Sequence, residues 1–349
     1  MTTRESPSSR DTPLPDCAEV LARAHVVSIP LTTRFRGVST REALLIEGTQ
    51  AWSEFSPFLE YDTAESAAWL AGALEYAFDP TLPRHTSGTV AVNATIPAVD
   101  ADAVPQLASR FSGCRTIKVK VAERGQTLRE DIERLLAVKD AFNEPMVRID
   151  ANGGWTVPEA EAALREITAA GIQLEYAEQP VRTLPELTQL RSRVHPLGIR
   201  IAADESIRKA SDPLAVARAG AADHAVVKVQ PLGGVRSALR VVADSGMTAT
   251  VSSALETSVG LVAGAGLAAE LATRGEPFAA GLGTLALFAD DVCAAPRRPV
   301  NGSISLAPAV PDAGKLRALA ASDNRRDWWF DRLRDCYEYL AGGRSSGHK

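Results

Sequence analysis

From about residue 88 onward, short runs of β-branched residues alternate with longer stretches rich in alanine and leucine. Seven short runs are predicted strands: VAVNATI, TIKVKV, MVRIDA, IQLEYAE, IRIAAD, AVVKV and TATVS. One of the helical stretches opens with Thr156-Val157-Pro158-Glu159, which places a capping threonine before a proline in the first turn. This alternation predicts parallel βα units, which an open doubly wound sheet and a closed barrel both satisfy.

The two ends of the chain have other patterns. Residues 24–47 predict two strands that flank a polar turn region at about 32–41, followed by an aromatic loop and a helix that starts near Ala64. The last part is polar apart from a Trp-Trp-Phe cluster at 328–330. The predicted parts are a disordered, proline-rich leader (1–22), an α+β capping domain (23–100), a (β/α) barrel domain with the catalytic site (101–296), and a C-terminal segment packing back on the capping domain (297–349).

Polar residues at the ends of the predicted strands favour a closed barrel over an open sheet. They follow one another at intervals of 24 to 30 residues, about one βα unit each: Lys120, Asp150, Glu178, Asp204, Lys228 and Ser252. Barrel enzymes carry their chemistry at the carboxyl ends of their strands. Charges on at least five successive strands can converge only if the strands surround a centre, whereas the outer strands of an open sheet would lie too far apart.

Composition narrows the range of partners. A chain of 349 residues with 45% hydrophobic residues can build a barrel and a smaller unit. The net charge of -5, with both signs interspersed, leaves no basic stripe for nucleic acid, and no apolar run reaches the 18 residues of a membrane span. Four scattered cysteines without CxxC spacing indicate reduced thiols and a cytoplasmic protein. We therefore expect a small-molecule substrate.

Three carboxylates at consecutive strand ends predict a metal site. Asp150, Glu178 and Asp204 supply hard oxygen ligands of the kind that Mg²⁺ prefers, and Mn²⁺ remains an alternative. A single acidic residue at a strand end is more often a solvated group or a helix cap, but three in register favour a metal. Glu205, next to the last ligand, is a candidate supporting neighbour.

Lysines form the second group of candidate catalytic residues. Lys118 and Lys120 are two residues apart in a strand, so their side chains point to the same face. Repulsion between buried ammonium groups, together with the charge of a nearby metal, would lower a lysine pKa towards neutrality and make a general base. The alternative is an edge strand with two solvated lysines. Lys228, in the apolar run AVVKV, favours the catalytic interpretation because it adds a third lysine to the same ring of strand ends.

These residues stand in motifs that resemble a known family. KVK at 118–120, RIDANGGW at 148–155, EYAEQP at 175–180, ADES at 203–206 and VVKVQPLGG at 226–234 are similar to the muconate-lactonizing subgroup of the enolase superfamily. Within it, SSALETSVG at 252–260, GLGT at 281–284 and EFSPFLEY at 54–61 resemble the o-succinylbenzoate synthases. The resemblance covers about residues 25–300 and implies an α/β fold, a modified TIM barrel of (β/α)7β form with an α+β capping domain built from the N-terminal region and the C-terminal segment.

The resemblance also implies roles for individual residues. Asp150, Glu178 and Asp204 would bind the metal, Lys120 would act as the base and then as the acid, Lys228 would stabilise the enediolate from the opposite face, and Lys118 would tune Lys120. The implied substrate contacts are Arg148 and Asn152 at its border, Ser252, Ser253 and the backbone around Gly281 at a succinyl arm, and Arg36 on a capping loop.

The implied reaction is dehydration of a cyclohexadiene carboxylate to o-succinylbenzoate, a step of menaquinone synthesis. The first rival is an N-succinylamino acid racemase, which needs the same lysines on opposite faces and a succinyl pocket. A cycloisomerase or dipeptide epimerase fits less well, because no motif for an amino acid terminus is evident. A lysine Schiff-base aldolase would need no metal, and a non-catalytic barrel would not need the lysines. Monomer and homo-oligomer stay open.

Overall fold

The structure, a computed structural model, describes residues 14–35, 37–208, 212–275 and 278–345. The chain begins with helix α1 (Cys17–Ala22) and an antiparallel sheet of three strands, β1 (Ala24–Phe35), β2 (Val38–Glu47) and β3 (Trp52–Phe55). Helix α2 (Thr63–Phe78) packs on this sheet, and Asp62 caps it by accepting from the backbone N of Glu65. These elements form the predicted α+β unit.

Seven parallel strands follow, in the spatial order of the chain. They are β5 (Ala94–Ile96), β6 (Thr116–Lys120), β7 (Met146–Asp150), β8 (Leu174–Glu178), β9 (Ile201–Ala203), β10 (His224–Val227) and β11 (Thr248–Val251), and a short β4 (Thr89–Ala91) pairs separately with β12 (Ser303–Ser305). The helices between and after them are α3 (Val104–Ala108), α4 (Leu128–Ala141), α5 (Val157–Ala169), α6 (Leu184–Val194), α7 (Glu205–Arg208), α8 (Ala215–Arg218), α9 (Val235–Ser245), α10 (Ser258–Thr273), α11 (Ala313–Ala318) and α12 (Asp323–Ser345).

A two-residue segment closes the sheet into a barrel. On one side, the backbone N of Gly281 donates to Val251 O at 2.7 Å, and on the other the N of Asn93 donates to Ala280 O at 2.9 Å. Ala280–Gly281 therefore lies between the last strand, β11, and the first, β5, as a short eighth strand. The predicted modified barrel with a capping domain is confirmed.

The strand register places the catalytic candidates at one level. Lys120 pairs with Asp150, and Asp150 with Glu178, while Lys118, Arg148 and Tyr176 pair one layer deeper. Because side chains two residues apart in a strand share a face, both layers point into the barrel. The interior of this barrel is therefore strongly polar near its carboxyl end.

The structure departs from the sequence predictions in three places. Residues 17–22, predicted as part of a disordered leader, form helix α1, because Asp16 caps it and Val20 is buried; residues 1–13 lie outside the described part. The hairpin turn is shorter than the predicted 32–41, since β1 runs to Phe35 and β2 starts at Val38. The first barrel strand, β5, lies before residue 101, because the predicted strand VAVNATI splits into β4 and β5.

Helix α12 returns to the capping unit. Trp329 is fully buried, packs edge-on against Phe55 with ring centroids 5.9 Å apart, and donates from Nε1 to Glu42 at 2.9 Å. Arg332 donates to the carbonyl oxygens of Phe58 and Tyr61, in the loop that follows β3. The C-terminal helix thus holds the loop that borders the carboxyl end of the barrel.

Among the described helices, none is long and apolar enough to span a membrane.

We expect Trp329→Ala to lower the free energy of unfolding by about 3–5 kcal/mol, because it leaves a cavity between α12 and β3. Trp328→Ala is the matched control, since Trp328 is 37% exposed, and we expect it to cost about 1 kcal/mol or less. Urea unfolding of both variants measures the difference. Equal losses would contradict the role of Trp329 as the anchor of α12.

Candidate active site

A small cavity opens at the carboxyl ends of the strands, between the barrel and the capping unit. Its lining residues come from both units: Phe35, Phe58, Thr95, Lys118, Asp150, Asn152, Lys228, Ser252, Ser253, Ala254, Leu255, Gly281 and Thr284. Seven of them are residues singled out from the sequence.

The three predicted metal-ligand carboxylates are buried and held by lysines. Lys118 Nζ lies 2.9 Å from Glu178 Oε1 and 3.3 Å from Asp150 Oδ2. Lys228 Nζ lies 2.5 Å from Asp204 Oδ2. Burying an ionised group is costly unless it is paired, and these contacts supply the pairing. Six residues were predicted from the sequence for the catalytic and metal site. Five of them make these contacts, namely Lys118, Asp150, Glu178, Asp204 and Lys228. The sixth is Lys120, which has another partner.

Glu178 is the most deeply buried of the three carboxylates. Burial raises the pKa of Glu178 to about 7, and the neighbouring carboxylates of Asp150 and Asp204 add to the rise, although Lys118 opposes it. Burial also acts to raise the pKa of Asp204, but attraction from Lys228 and Arg208 outweighs it, so that pKa is lowered. Glu178 is therefore the carboxyl that would gain most from an additional cation.

Two carboxylates hold Lys118 in its charged form. Burial would lower it, but Glu178 and Asp150 outweigh burial and raise the pKa of Lys118 above its ordinary value. The expected repulsion between lysines is thus overcome by two carboxylates in direct contact. Lys118 is accordingly a charged partner of the carboxylates and not a neutral base.

Lys120 and Asn152 form a separate pair beside the carboxylates. Lys120 Nζ donates to Asn152 Oδ1, and Asn152 Nδ2 donates to Glu205 Oε1 at 3.3 Å. Asn152 adopts a positive φ of 43°, and its backbone N donates to Asp150 Oδ1 at 3.0 Å. The turn after β7 therefore places one side chain against both the candidate base and the carboxylate cluster.

Glu205, predicted as a supporting neighbour of the metal ligands, contacts Arg208 and Asn152. Arg208 Nη2 lies 2.5 Å from Glu205 Oε1, and Arg208 Nε donates to Asp204 Oδ1 at 3.0 Å. The second oxygen of Glu205, Oε2, is buried and has no hydrogen-bond partner. A buried carboxylate oxygen without a donor is a candidate acceptor for a further cationic or protic group.

The donors fit a hard divalent cation in kind. All are carboxylate oxygens from neighbouring strand ends, burial and two neighbouring carboxylates raise the pKa of Glu178, and one oxygen of Glu205 is unpartnered. Among the described residues, however, no group of three or more acidic, histidine or cysteine side chains converges on one point. The carboxylates are instead engaged by the ammonium groups of Lys118 and Lys228.

Hydroxyl groups line the side of the cavity away from the carboxylates. Ser253 Oγ lies 2.6 Å from Thr284 Oγ1, and Ser252 pairs with Gly281 across the closing strand. A Cβ at Gly281 would lie 2.6 Å from Ser252 Oγ, so a side chain at this position would force the Ser252 hydroxyl to move. Thr95 and Thr284 were missed as candidates, although the GLGT motif contains Thr284 and the alternation in VAVNATI gives Thr95 the same face as Asn93.

Arg148 does not reach the cavity. It is fully buried one layer below Asp150, where it donates to Asn93 Oδ1 at 3.0 Å and to Ala279 O at 2.7 Å, and it pairs with Glu175. The predicted substrate contact is therefore replaced by a role inside the barrel, because Asn93, Ala279 and Glu175 engage the guanidinium group of Arg148 below the cavity. Arg36 lies outside the described residues.

His224 has a structural role in the barrel. His224 stacks on Tyr176 with ring centroids 4.9 Å apart, and its ring nitrogens lie within 2.8 Å of the hydroxyls of Thr248 and Thr250. Burial lowers the pKa of His224 to about 3, so the ring is neutral. It fills the deeper layer of the barrel together with Arg148.

Comparison with known proteins gives consistent matches over the chain. Residues 26–77 match the model of enolase N-terminal domain-like proteins, and residues 102–313 that of enolase C-terminal domain-like proteins. The o-succinylbenzoate synthase of Mycolicibacterium smegmatis (strain ATCC 700084 / mc(2)155) is 51% identical over 94% of this chain and 99% of its own length. That of Mycobacterium tuberculosis (strain ATCC 25618 / H37Rv) is 50% identical over 94% of this chain and 97% of its own.

Solved structures support the fold alone. The L-Ala-D/L-Glu epimerase of Bacillus subtilis has a TM-score of 0.68 at 22% identity, covering 82% of this chain and 96% of that one. The N-succinyl Arg/Lys racemase of Bacillus cereus ATCC 14579 also has a TM-score of 0.68, at 18% identity, covering 86% and 97%. At these identities the similarity does not discriminate among activities.

We expect Arg148→Met to lower the free energy of unfolding by about 3–5 kcal/mol, because it leaves Glu175 and Asn93 without their buried partner. The control is Arg193→Met, which removes a pair with Glu161 at a surface where Arg193 is 41% exposed, and should cost about 1 kcal/mol or less. Urea unfolding measures both. A variant at Arg148 with normal stability would favour the substrate contact predicted from sequence.

Proposed function

This chain belongs to the enolase superfamily and, within it, to the o-succinylbenzoate synthase family, and on that premise we propose that it dehydrates 2-succinyl-6-hydroxy-2,4-cyclohexadiene-1-carboxylate to o-succinylbenzoate. The observation that carries the proposal is 51% identity along nearly the whole length of a synthase. A cavity that joins buried lysines, carboxylates and a hydroxyl-lined wall supports it. The reaction would serve menaquinone biosynthesis, and four cysteines without a disulfide among the described residues fit a cytoplasmic enzyme.

Enzymes of this superfamily are generally dependent on a divalent metal. We propose Mg²⁺, with Mn²⁺ as a substitute, and Asp150, Glu178 and Asp204 as the residues that hold it. When bound, the ion supplies positive charge that stabilises the negative charge developing on the substrate carboxylate. Lys118 would keep Asp150 and Glu178 oriented, and Glu205 and Arg208 would orient Asp204.

Lysines on opposite sides of the cavity would carry the proton transfer. Strands β6 and β10 are separated by three strands in the sheet order, so in a closed ring of eight they stand across from each other. Lys120 Nζ would take the proton from the carbon next to the carboxylate and then return it to the departing hydroxyl, which leaves as water. The electron pair of the broken C–H bond completes the aromatic ring, and Lys228 would stabilise the intervening anion from the other face.

The hydroxyl-lined wall suits the second carboxylate arm of the substrate. Ser252, Ser253 and Thr284 present hydroxyls, and Gly281 presents backbone without a side chain. Asn152 would border the ring because its amide lies between Lys120 and Glu205. The same groups would also accept an N-succinylamino acid, so racemase activity is the second function to measure.

We expect Lys120→Ala and Lys228→Ala each to reduce kcat for dehydration by about 10²–10⁴-fold, the usual contribution of a positioned acid or base. Steady-state turnover with Mg²⁺, beside racemisation of an N-succinylamino acid, measures this. Lys139→Ala is the control, because Lys139 lies on α4 and pairs only with Glu144 among the ion pairs found. Fast racemisation without dehydration would overturn the proposed reaction, and full turnover in both lysine variants would overturn the mechanism.

We expect a chelator to abolish dehydration and added Mg²⁺ to restore it. Isothermal titration of Mg²⁺ provides a readout without turnover: the wild type should bind one ion per chain, and Asp204→Asn should bind at least 10-fold more weakly, because it removes a charged oxygen ligand. Glu166→Gln, an exposed residue of α5, controls for the change in net charge. Undiminished activity in chelator together with trapping by borohydride would favour the Schiff-base alternative.

A further inference from the structure

Three helices of the barrel cap their own N-termini in the same way. In α4, α5 and α6 a threonine precedes the helix and a glutamate in the third helical position accepts from the backbone N and hydroxyl of that threonine. The pairs are Thr127 with Glu130, Thr156 with Glu159, and Thr183 with Glu186. This is the capping box, which satisfies backbone donors that a helix start leaves without partners.

Helix α10 has the threonine of a capping box but not its glutamate. The third helical position is Gly260, where a Cβ would lie 2.7 Å from Glu256 Cβ. Glu54, at the end of β3 in the capping unit, takes the place of the missing side chain. Its Oε2 accepts from Thr257 N at 2.9 Å, from Thr257 Oγ1 at 2.6 Å and from Gly260 N at 3.2 Å. The pattern repeats that of α4, with the glutamate supplied by the other unit.

Helix α9 is capped across the same boundary. Its N-cap is Gly234, which has no side chain, and Glu75 of α2 accepts from Val235 N at 2.6 Å. The approach depends on two glycines, since a Cβ at Gly72 of α2 would lie 2.9 Å from Gly234 N. Burial raises the pKa of Glu54 and of Glu75 to about 7, and the hydrogen bonds from the helix starts oppose that rise. Both carboxyls therefore depend on the helix ends for their stabilisation.

The two helices capped in this way follow the two strands whose loops carry the far wall of the cavity. Lys228 stands seven residues before α9 begins, and Ser252, Ser253 and Leu255 lie in the loop that leads into α10. The loops are joined to each other and to the capping unit, because Gln230 Oε1 accepts from Ser56 N at 3.3 Å and Gln230 Nε2 donates to Glu256 at 3.4 Å. A shift of either helix start would therefore displace the cavity wall.

We propose that Glu54 and Glu75 are positioning residues, which cap barrel helices α10 and α9 from the capping unit and so set the positions of Ser252–Leu255 and Lys228. The catalytic consequence rests on the proposed function, whereas the capping itself does not. A productive site thus requires that the two units be docked in one register, because each glutamate reaches its helix only when α2 and β3 lie against the barrel.

The experiment compares Glu54→Ala, Glu54→Gln, Glu75→Ala and Glu75→Gln with Glu186→Ala, which removes a cap within α6 of the barrel. Hydrogen exchange followed by mass spectrometry reports on peptides covering 228–238 and 252–262. We expect each alanine variant to speed exchange at its own helix start at least 10-fold. The glutamine variants keep an acceptor oxygen, so they should recover most of the protection from exchange at these helix starts. They can also be measured if an alanine variant does not fold.

Kinetics separate positioning from general destabilisation. We expect Glu54→Ala and Glu75→Ala to lower kcat/KM at least 10-fold, with partial recovery in the glutamine variants. Glu186→Ala should lower Tm less, because the cap that it removes is exposed to solvent, and should keep kcat/KM within twofold. Unchanged exchange at both helix starts, or a loss of kcat/KM in Glu186→Ala equal to that in the alanine variants, would overturn the proposal. If the wild type does not dehydrate the substrate, the proposed function fails. The exchange result still decides whether the two glutamates of the capping unit cap the barrel helices.

Discussion

Pairing of buried charge at the carboxyl ends of the strands is the constraint on which the rest of the site depends. Asp150, Glu178 and Asp204 are almost fully removed from water, and each such carboxylate would be unstable without a cation or donor nearby. Lys118 and Lys228 supply that charge from strands on opposite sides of the ring. The groups that stabilise the carboxylates are thus themselves members of the candidate catalytic set.

This arrangement explains why the fold must be a closed barrel. Lys118 and Lys228 are separated by more than a hundred residues, yet both contact a cluster on the strands between them. An open sheet would leave β6 and β10 next to its two opposite edges. Closure by Ala280–Gly281 brings the edges together and adds the glycine-bearing wall next to Ser252.

The capping unit supplies part of the wall of the cavity. Phe35 and Phe58 close the cavity from that side, and Trp329 and Arg332 of the last helix hold the loop that carries Phe58. The cavity therefore depends on segments from the beginning, middle and end of the chain. Glu54 and Glu75 extend this dependence to the starts of two barrel helices, where hydrogen-bond donors remain that the barrel itself does not satisfy.

The sequence by itself determined the order of strands and helices and the residues at each strand end, because alternation and helical spacing are local properties of the chain. Asp150, Glu178, Asp204 and Lys228 could be found in this way. Only the tertiary structure decided which residues on one strand face reach the cavity: Lys118 and Arg148 are neighbours in register, yet one lines the cavity and the other lies deeper. Ala280–Gly281 is too short for any periodic signal, and Glu54 meets Thr257 across 203 residues. Such contacts depend on how the strands stagger and how two units dock, which no local pattern contains.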